Sequence, residues 1–590
     1  MKRLRIFSML LIISMISQLF VVANAKSELY DENIQMALVE GGKVAIFEEK
    51  DTVLDNVPFK NGNSFMLPAE YFFESYGYEV AFDGTILTAK GEKTVTLTEN
   101  SNTAVIDNEQ VALEQNVQKV KDELFVSADI CKALGLSYKI SDGGVFVISR
   151  DGSFKNFEEK LFIKIQGIYI ATDGKAGGDG TPKYPIPNLE MAKKLAIAHM
   201  KEYGTEFPVR IFVKGGTYRF SEGIVFNENE FKVDLYKGLS IENYDENVPE
   251  FTGSTLLDTA DFIPVTDGQT LARLHKNGRG KIATIDLRKY GIKELEQIPN
   301  KFYNIYLDEI EQVNARWPNE GESTIFSVPQ QNSFTFSETD PTRWTNAKNA
   351  YVFGHFSSAG WEWHQGIIQS VNAATKTITI TGAAGDTMKT TAAGTGWHAA
   401  NLLEELDMPG EWFVDTEGLK LYYYPPYRLK DRKLEMTTYL GTLLTFDNAH
   451  NIRIKGIKFS KNYQPLSFTG SSIRGVTVEK CDFSHSQSKI TVQFANGTRT
   501  YDINILENKA YNLYGNFVYF RAGDLNTLTN GNCLVKNNHI IQASQYYKGL
   551  GAISGPYQVS NFGSTGVSYE NNIVQDLPGG AAIGTGGTHV

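Results

Sequence analysis

The sequence predicts a mainly β protein: a right-handed parallel β-helix with an inserted β-domain, preceded by a small α+β module. Three observations predict this fold class. A short apolar pattern recurs five times near the C-terminus, an asparagine holds one fixed position in its last three copies, and a duplicated helix-and-strand pattern precedes that region. We therefore expect a signal peptide at 1–25, an accessory module at 26–150 and a β-helix domain at 151–590, with a β-rich insert at about 300–430.

Each copy of the repeat is eight residues long. Its first, third and eighth positions are apolar, and its sixth position is the fixed position. The five copies cover 452–459, 476–483, 503–510, 533–540 and 567–574. Their fixed position holds Ile457, Cys481, Asn508, Asn538 and Asn572, at spacings of 24, 27, 30 and 34 residues. Such spacings are typical of solenoid coils that lengthen as loops are inserted on one face.

The three asparagines predict a ladder of stacked amides. A buried amide is tolerable only when its donors and acceptor are paired, and identical amides at the strand spacing of about 4.8 Å can pair with one another. A parallel β-helix offers that geometry. The last copy is followed by only 16 residues, where another strand is expected. Because a solenoid end needs a cap, we expect that the chain is a fragment lacking C-terminal coils, rather than a protein with an exposed end.

Charge and cysteine content exclude several classes of protein. The 590 residues carry a net charge of −11 and no long basic run, which argues against nucleic acid or an anionic membrane surface as the partner. The three cysteines, Cys131, Cys481 and Cys533, are too few and too scattered for a disulfide framework or a metal motif. We therefore expect no cofactor and no metal.

The N-terminus predicts export. The basic residues Lys2, Arg3 and Arg5 precede an apolar stretch at 6–22, and Ala-Asn-Ala at 23–25 has the small residues of a cleavage site. We expect cleavage after Ala25 and a secreted or cell-envelope-associated protein. A transmembrane anchor is the alternative, since the apolar stretch is near the minimum length for spanning. No later segment predicts stable membrane insertion.

A duplication organises residues 39–149. Two short amphipathic helices, at 67–77 and 125–135, each end in glycine and lead into alternating strands at 80–97 and 137–149. This pattern resembles the N-terminal domain named after copper amine oxidases, an accessory module of exported bacterial proteins. Residues 26–150 contain no histidine, so a copper site has no plausible ligand set. We interpret the module as an attachment or spacer device, with the cell wall as a candidate partner.

The β-helix domain opens with a segment at 168–174 that begins as a strand, followed by a Gly/Asp-rich loop, a helix at 189–202 and a strand at 209–213. This order resembles the opening of many secreted β-helix enzymes that act on polysaccharides. The helix is expected to cover the exposed apolar end of the first coil.

The insert contains all six tryptophans: Trp317, Trp344, Trp361, Trp363, Trp397 and Trp412. Two interpretations stay open. Aromatic faces stack on sugars, which would make the insert carbohydrate-binding, and the segment at 361–364 is then the best exposed candidate; alternatively, the tryptophans pack the core of a small β-domain. Strands are expected at 375–381 and 419–424.

Two segments of the insert carry a family resemblance. Residues 306–319 read YLDEIEQVNARWPN, and residues 401–415 read NLLEELDMPGEWFVD. Together they resemble glycoside hydrolase family 141, which has a pectate-lyase-like superfold, over roughly 165–590. The resemblance implies a secreted enzyme that cleaves plant or microbial glycans. Within these segments we interpret Arg316, Glu411 and Asp415 as structural rather than catalytic.

A glycoside hydrolase needs a carboxylate pair, about 5 to 5.5 Å apart for retention or about 6.5 to 9.5 Å apart for inversion. The position before the repeat's fixed position is expected to point outward, and Glu507 is its only acid. Asp524 follows a strand into a Gly-containing loop near Arg521. We predict Glu507 and Asp524 as the catalytic pair; alternatively, Glu507 pairs with Lys480 and Asp524 caps a turn.

The predicted sugar contacts are His485, Tyr519, Arg521, Tyr557 and His589. In the resembling family, the acids proposed for catalysis lie in Asp-Gly-Gly-Ala-Ile-Tyr coils beyond the position of His589, and this sequence has no such segment.

Three functions fit the sequence. A glycoside hydrolase is favoured; a non-catalytic β-helix that binds glycan or the cell envelope and a polysaccharide lyase are the alternatives. A lyase needs a base beside an acidic sugar, often with Ca²⁺ held by clustered acids, and the sequence shows no such cluster.

Overall fold

The computed structural model describes 33–48, 50–154, 162, 166–203, 208–231, 238–296, 301–344, 346–347, 350–356, 364–381, 388, 390–448, 450–495, 498–524, 526–546, 553–554, 564–578 and 583–584. The chain divides into two compact units. The first comprises Met1–Gly216, Glu228–Pro249 and His450–Lys455; the second comprises Thr217–Asn227, Glu250–Ala449 and Gly456–Val590. The predicted signal peptide lies outside the described residues.

The first unit begins with a β-rich module of three antiparallel sheets. In spatial order, the first sheet contains Ser137–Ile140, Val145–Ser149, Ile34–Val39, Val44–Phe47 and Lys50–Val53. The second contains Glu109–Ala112, Thr103–Ile106, Thr94–Thr98, Ile86–Lys90 and Glu79–Phe82. The third contains Gln118–Val120, Glu123–Ser127, Ser64–Pro68 and Phe59–Asn61.

The predicted duplication is confirmed in this module. The helices Ala69–Ser75 and Ile130–Ala133 are followed by Gly77 and Gly135, whose φ angles of 79° and 77° are the left-handed values expected after a helix. The strands that precede the two helices pair with each other, with Phe125 opposite Pro68. The two halves therefore share one core.

Contacts join this module to the parallel strands of the first unit. The backbone N–H of Lys43 donates to the Tyr169 hydroxyl at 2.9 Å, and the Tyr244 hydroxyl donates to the Gly41 carbonyl at 2.8 Å. Val44, Tyr169 and Phe212 form one buried cluster. The module is thus packed against the strands that follow it in the chain.

Those strands form a parallel array, in the order Ile168–Ile170, Val209–Val213, Leu239–Asn243 and Ile452–Lys455. The predicted helix is present as Leu189–Tyr203, and its residues Leu189, Ala192 and Ala196 are buried. It packs against the first of these strands. A second short helix covers Glu228–Phe231.

The second unit contains three parallel arrays of strands. The first contains Ser472–Glu479, Arg499–Leu506, Cys533–Lys536 and Val567–Glu570. The second contains Gly216–Arg219, Pro249–Thr252, Lys458–Asn462, Asp482–Ser486, Lys509–Tyr511, His539–Ile541 and Ile573–Gln575. The third contains Ile224–Asn227, Thr442–Asp447, Gln464–Thr469, Ile490–Phe494, Asn516–Tyr519, Ile553–Ser554 and Ile583–Gly584. These parallel sheets fit a β-helix, and the protein is mainly β as predicted.

The asparagine ladder is confirmed. Asn508 Nδ2 donates to Asn538 Oδ1 at 2.9 Å, and Asn538 Nδ2 donates to Asn572 Oδ1 at 2.9 Å. The same oxygens also accept the backbone N–H groups of Asn508 and Asn538, each at 3.0 Å. Every rung therefore joins two successive coils through side-chain and backbone donors.

The position before each rung adopts a left-handed backbone. The φ angles are 67° at Gly456, 51° at Lys480, 55° at Glu507, 56° at Asn537 and 50° at Asn571. Glycine and asparagine tolerate this conformation best, which explains three of the five residues. Each repeat is therefore a strand, a left-handed corner and a second strand.

Aromatic stacks fill the core of the third parallel array. Successive coils place Phe226 on Phe446, Phe446 on Phe468 and Phe468 on Phe494, with ring centroids 5.2, 5.1 and 4.8 Å apart. All four rings are buried. Stacked identical residues fix the register between neighbouring coils.

The insert supplies three further sheets. The first contains Ser254–Leu257, Leu434–Thr437, Ile305–Leu307 and Ile310–Glu311. The second contains Ile263–Pro264, Ala283–Asp286, Lys420–Tyr423, Glu411–Asp415 and Val313–Asn314. The third contains Arg316–Trp317, Gly396–Ala400, Tyr351–Gly354, His364–Asn372, Thr377–Thr381, Ser333–Thr335 and Ser327–Gln330, and Ser323–Thr324 pairs with Gly396–Ala400. The predicted strands at 375–381 and 419–424 are confirmed.

Short helices connect these strands: the α-helix Gly268–Arg273 and the 3₁₀ turns Thr259–Asp261, Leu287–Tyr290, Asp340–Arg343, Thr390–Ala392 and Leu403–Glu405. Trp344, Trp397 and Trp412 are buried, and Trp317 packs against Trp344 and Trp397, as the core-packing interpretation expects. Trp361 and Trp363 lie outside the described residues. Among the helices that the structure describes, none has the length and apolar character needed to cross a membrane.

Candidate functional site

A tight hairpin in the insert carries three acids, of which Glu309 and Glu311 concern the site. Its strands, Ile305–Leu307 and Ile310–Glu311, are joined by Asp308 and Glu309, whose φ angles are 50° and 70°. Two successive positive φ angles are typical of hairpin turns that match the twist of the strands. Glu309 and Glu311 are therefore held on a rigid element, with Glu311 opposite Tyr306.

Glu311 is bound by three neutral side chains. Its Oε1 accepts hydrogen bonds from the Tyr514 hydroxyl and from Asn304 Nδ2, both at 2.6 Å. Its Oε2 accepts a hydrogen bond from Asn512 Nδ2 at 3.0 Å. No lysine or arginine forms an ion pair with Glu311 among the described residues. The carboxyl is fixed in position without a charged partner.

Burial raises the pKa of the Glu311 carboxyl, and the hydrogen bonds from Tyr514 and Asn512 only partly oppose this effect. A carboxyl group in apolar surroundings keeps its proton to higher pH because the charged form is poorly solvated. A raised pKa is the property that a carboxyl needs in order to act as a proton donor.

Glu311 lies in the wall of a cavity of about 470 Å³. Seven aromatic residues line this cavity: Phe302, Tyr303, Tyr351, Phe353, Trp412, Tyr514 and Tyr546. The Tyr514 and Tyr546 rings stack at 4.6 Å, and the Phe353 and His398 rings stack at 4.9 Å. Aromatic walls with a few polar groups form a site of the kind that binds small organic ligands.

Two polar groups in the cavity wall lack partners within the part of the chain that the structure describes. Arg316 Nε and Asn314 Oδ1 are both buried without a hydrogen bond. Arg316 Nη2 donates to the Gly321 carbonyl, so the guanidinium is held in place by a loop. Buried polar atoms are costly when unpaired, so each of these two atoms calls for a hydrogen-bond partner.

A charged network lies beside the hairpin. Lys461 is fully buried, and its Nζ contacts Glu309 Oε2 at 2.6 Å and Glu435 Oε2 at 2.5 Å. Lys433 joins the same two carboxylates, at 2.6 Å and 3.0 Å. Glu435 also pairs with Arg219 at 2.8 Å. The network ties the hairpin to the parallel strands.

A third carboxylate completes this network, because Glu250 pairs with Lys458 at 2.9 Å and accepts a hydrogen bond from Ser460 at 2.6 Å. Burial alone would raise the pKa of Glu250 and Glu435, but hydrogen bonds and lysine charges outweigh it and lower both to about 2. These acids are ionised and paired, so we interpret them as structural.

His485, a predicted sugar contact, is buried between Tyr306 and Tyr511, with ring centroids at 5.1 and 5.9 Å. Burial and the charge of Lys461 lower its pKa to about 4. Its Nδ1 is buried without a hydrogen bond to any described residue. The structure therefore places a neutral His485 beside the charged network.

The predicted catalytic residues lie in two different turns. Glu507 occupies a left-handed corner, is exposed, and its nearest cation is Lys480 Nζ at 3.8 Å. Asp524 pairs with Arg499 at 2.9 Å and accepts the backbone N–H of Asn526 at 2.8 Å. These contacts are the ion pair and the turn cap named as alternatives; a catalytic role for either residue stays a prediction.

The remaining predicted sugar contacts are separate from the Glu311 cavity or not described. Tyr519 ends the strand Asn516–Tyr519 and is partly exposed. Arg521 is buried, and its carbonyl accepts both the N–H and the hydroxyl of Thr500. Tyr557 and His589 lie outside the described residues.

Sequence reasoning did not identify Glu311, Tyr514 or Asn304 as site residues. Glu311 lies within the segment 306–319, which was interpreted as structural. The available signal was a group of three acids, Asp308, Glu309 and Glu311, within the segment that carries the family resemblance. No sequence pattern indicated that Tyr514, 203 residues away, reaches the same carboxyl.

Within the described ranges, no group of three or more His, Cys, Asp or Glu side chains is arranged to hold a metal ion. The three cysteines are buried, and none of them forms a disulfide bond.

The family model of the copper amine oxidase N-terminal domain matches residues 46–148, which confirms the resemblance predicted for the accessory module. No curated protein matches the sequence.

Two solved structures align with most of the chain. One, titled "Glycoside hydrolase", aligns with a TM-score of 0.46 at 14% identity, covering 71% of this chain and 96% of that one. Another, titled "The complex structure of XylC with xylose", aligns with a TM-score of 0.27 at 10% identity, covering 72% of this chain and 68% of that one.

Proposed function

We propose that this protein is an exported carbohydrate-active enzyme, best described as a glycoside hydrolase, whose parallel sheets form a right-handed β-helix. The observation that carries the proposal is Glu311, a carboxyl with a raised pKa in the wall of an aromatic cavity. Aromatic rings pack against the C–H faces of sugars, and a protonated carboxyl can donate to a glycosidic oxygen.

The proton donor is oriented by its partners. Tyr514, Asn304 and Asn512 fix both carboxyl oxygens, so the acidic proton has few available directions. When Glu311 gives up its proton, the same three donors stabilise the carboxylate that forms. The Glu311 side chain therefore suits both protonation states of a general acid.

The sequence resemblance supports this assignment. The segments that resemble glycoside hydrolase family 141 supply Glu311, Asn314, Arg316, Trp412 and Val414 to the cavity wall. The residues that carry the resemblance therefore lie around the candidate site.

A second function, non-catalytic glycan binding, is favoured by one observation. Glycosidic cleavage requires two carboxyl groups, and Glu311 is the only one among the described residues that line the cavity. A lyase is less well supported, because the Tyr514 hydroxyl is engaged with Glu311 and burial raises the pKa of Tyr514, which makes it a poor base.

Export and attachment belong to the same proposal. The signal peptide at 1–25 delivers the chain to the cell surface or medium, and the module at 26–150 contributes to attachment. Mass spectrometry of the secreted protein tests the first statement, with Lys26 as the expected N-terminal residue.

The function is tested by incubating the full-length protein with a panel of neutral and acidic polysaccharides. We expect new reducing ends without the ultraviolet absorbance of an unsaturated sugar. Glu311→Gln should abolish them, whereas Glu222→Gln, which alters an exposed carboxyl, should not. Binding without cleavage by the unaltered protein would favour the non-catalytic function, and ultraviolet absorbance would favour the lyase.

A further inference from the structure

The cavity around Glu311 contains a single cationic side chain among the described lining residues, Arg316. Its Nε–H points to no acceptor, although the atom is buried. Arginine is rarely left with a buried donor unpaired, because the desolvation cost is not offset. A free Nε–H in a cavity wall therefore indicates a ligand that brings an acceptor.

The acids near Arg316 do not supply this acceptor. Glu411 Oε2 is occupied by the backbone N–H groups of Asp407 and Met408, at 2.8 and 2.9 Å. Burial raises the pKa of Glu411 to about 7, so its negative charge is incomplete near neutral pH. Glu322 is within electrostatic reach of the guanidinium without bonding to Nε. The positive charge of Arg316 is thus only partly balanced.

Strand geometry places a complementary acceptor nearby. Asn314 and Arg316 lie two residues apart in an extended segment, so their side chains share one face. Asn314 Oδ1 is buried and unpaired in the same wall. The site therefore offers a cationic donor beside a neutral acceptor, which fits an anionic group next to a hydroxyl.

We infer that the cavity takes a sugar unit bearing a carboxylate, a uronic acid, whose carboxylate binds Arg316 and whose neighbouring hydroxyl donates to Asn314. This inference rests on the proposed function and specifies its substrate class. A planar guanidinium matches a planar carboxylate better than it matches a neutral hydroxyl. The aromatic side chains that line the cavity then contact the apolar faces of the same sugar ring.

The inference is tested by titrating the full-length protein with galacturonate and glucuronate, and with galactose and glucose as neutral counterparts, by isothermal titration calorimetry. We expect each uronate to bind at least tenfold more tightly than its neutral counterpart. Arg316→Gln should remove that preference, and Arg316→Lys should restore only part of it because lysine lacks the planar fork. Arg474→Gln, which alters an exposed arginine in another part of the unit, should retain the preference.

Equal affinity of the unaltered protein for uronates and neutral sugars would overturn the inference, whether or not the variants fold, and would leave the proposed function standing. Tighter binding of a sulfated sugar would overturn it in favour of a sulfate site. Absence of both sugar binding and polysaccharide cleavage would instead contradict the proposed function itself.

Discussion

The Tyr514 hydroxyl donates a hydrogen bond of 2.6 Å to Glu311 across 203 positions of sequence. In the sequence, Tyr514 lies between Lys509–Tyr511 and Asn516–Tyr519, which belong to two different parallel arrays. Glu311 ends a hairpin of the insert. The carboxyl is therefore positioned only when the insert and the parallel strands are both folded. The insert is consequently part of the candidate site and not an appendage to it.

Tyr514→Phe should shift the pH dependence of cleavage. A general acid must be protonated, so activity falls as pH rises through its pKa. The Tyr514 hydroxyl stabilises the charged carboxylate and so opposes the rise in pKa that burial causes. Without it, the pKa of Glu311 should rise further and the descending limb should move to higher pH.

The pH profile of kcat/KM checks this expectation, with Tyr501→Phe as the control because Tyr501 lies outside the cavity wall. A descending limb that stays in place or moves to lower pH in Tyr514→Phe would count against Glu311 as the acid.

Asn538→Ala should destabilise the parallel strands. The Asn538 side chain forms hydrogen bonds with the backbone and side chain of Asn508, with the Ile505 carbonyl and with the Asn572 side chain. Alanine leaves several of these buried groups unpaired, so we expect a loss of about 2 to 4 kcal/mol in the free energy of unfolding. Urea denaturation measures it.

The neighbouring residue provides a matched control. Asn537 has a left-handed φ of 56°, which glycine also adopts, so Asn537→Gly should change stability by less than about 0.5 kcal/mol. A loss for Asn538→Ala no larger than that of Asn537→Gly would show that the ladder does not stabilise the fold.

Stability should fall in acid because of the charged network. The folded-state pKa values of Glu250 and Glu435 are lowered to about 2 from an ordinary value of 4.5. A group with a lowered folded pKa contributes stability above its unfolded pKa and loses it as pH falls toward the folded value. We expect a loss of about 3 kcal/mol per group between pH 4.5 and pH 2.

Urea midpoints measured across this pH range test the expectation. Lys461→Met, which removes the buried cation, should cost about 3 to 5 kcal/mol at neutral pH, whereas Lys536→Met, in an exposed pair, should cost less than about 1 kcal/mol. A urea midpoint that is unchanged down to pH 2 would show that the network is not stabilising.

The double variant Glu507→Gln and Asp524→Asn compares two assignments of the catalytic acids. If Glu311 is the proton donor, the double variant should keep more than about half of the activity, because the Glu507 side chain is exposed and the Asp524 side chain caps a turn. Reducing-end assays on the same glycan measure it. A loss greater than about a hundredfold would instead support Glu507 and Asp524 as the pair.

Local sequence patterns predicted much of the fold. Asn508, Asn538 and Asn572 recur at one position of a repeat, and their amides stack as expected because the requirement to pair a buried amide is local to the repeat. The duplicated helices with Gly77 and Gly135 were likewise visible because helix ends carry their own signals.

The candidate site could not be predicted in the same way. Glu507 was selected because it was the only acid at a position expected to face outward, and its side chain is indeed exposed there, at a left-handed corner. Glu311, in contrast, depends on Tyr514 and Asn512, which the chain brings to it only through parallel pairing of distant coils. The spacing of apolar residues shows which side chains share one face of a strand or helix. It does not show which residues far apart in the sequence come into contact.

The proton-donor role of Glu311 is tested most directly by comparing substrates with different leaving groups. A natural glycoside needs a proton on its departing oxygen, whereas a nitrophenyl glycoside of the same sugar does not. We expect Glu311→Gln to lower kcat/KM by about a hundredfold or more on the natural glycoside and by less than about tenfold on the nitrophenyl glycoside. Equal losses on both substrates, or no loss on the natural glycoside, would contradict the account.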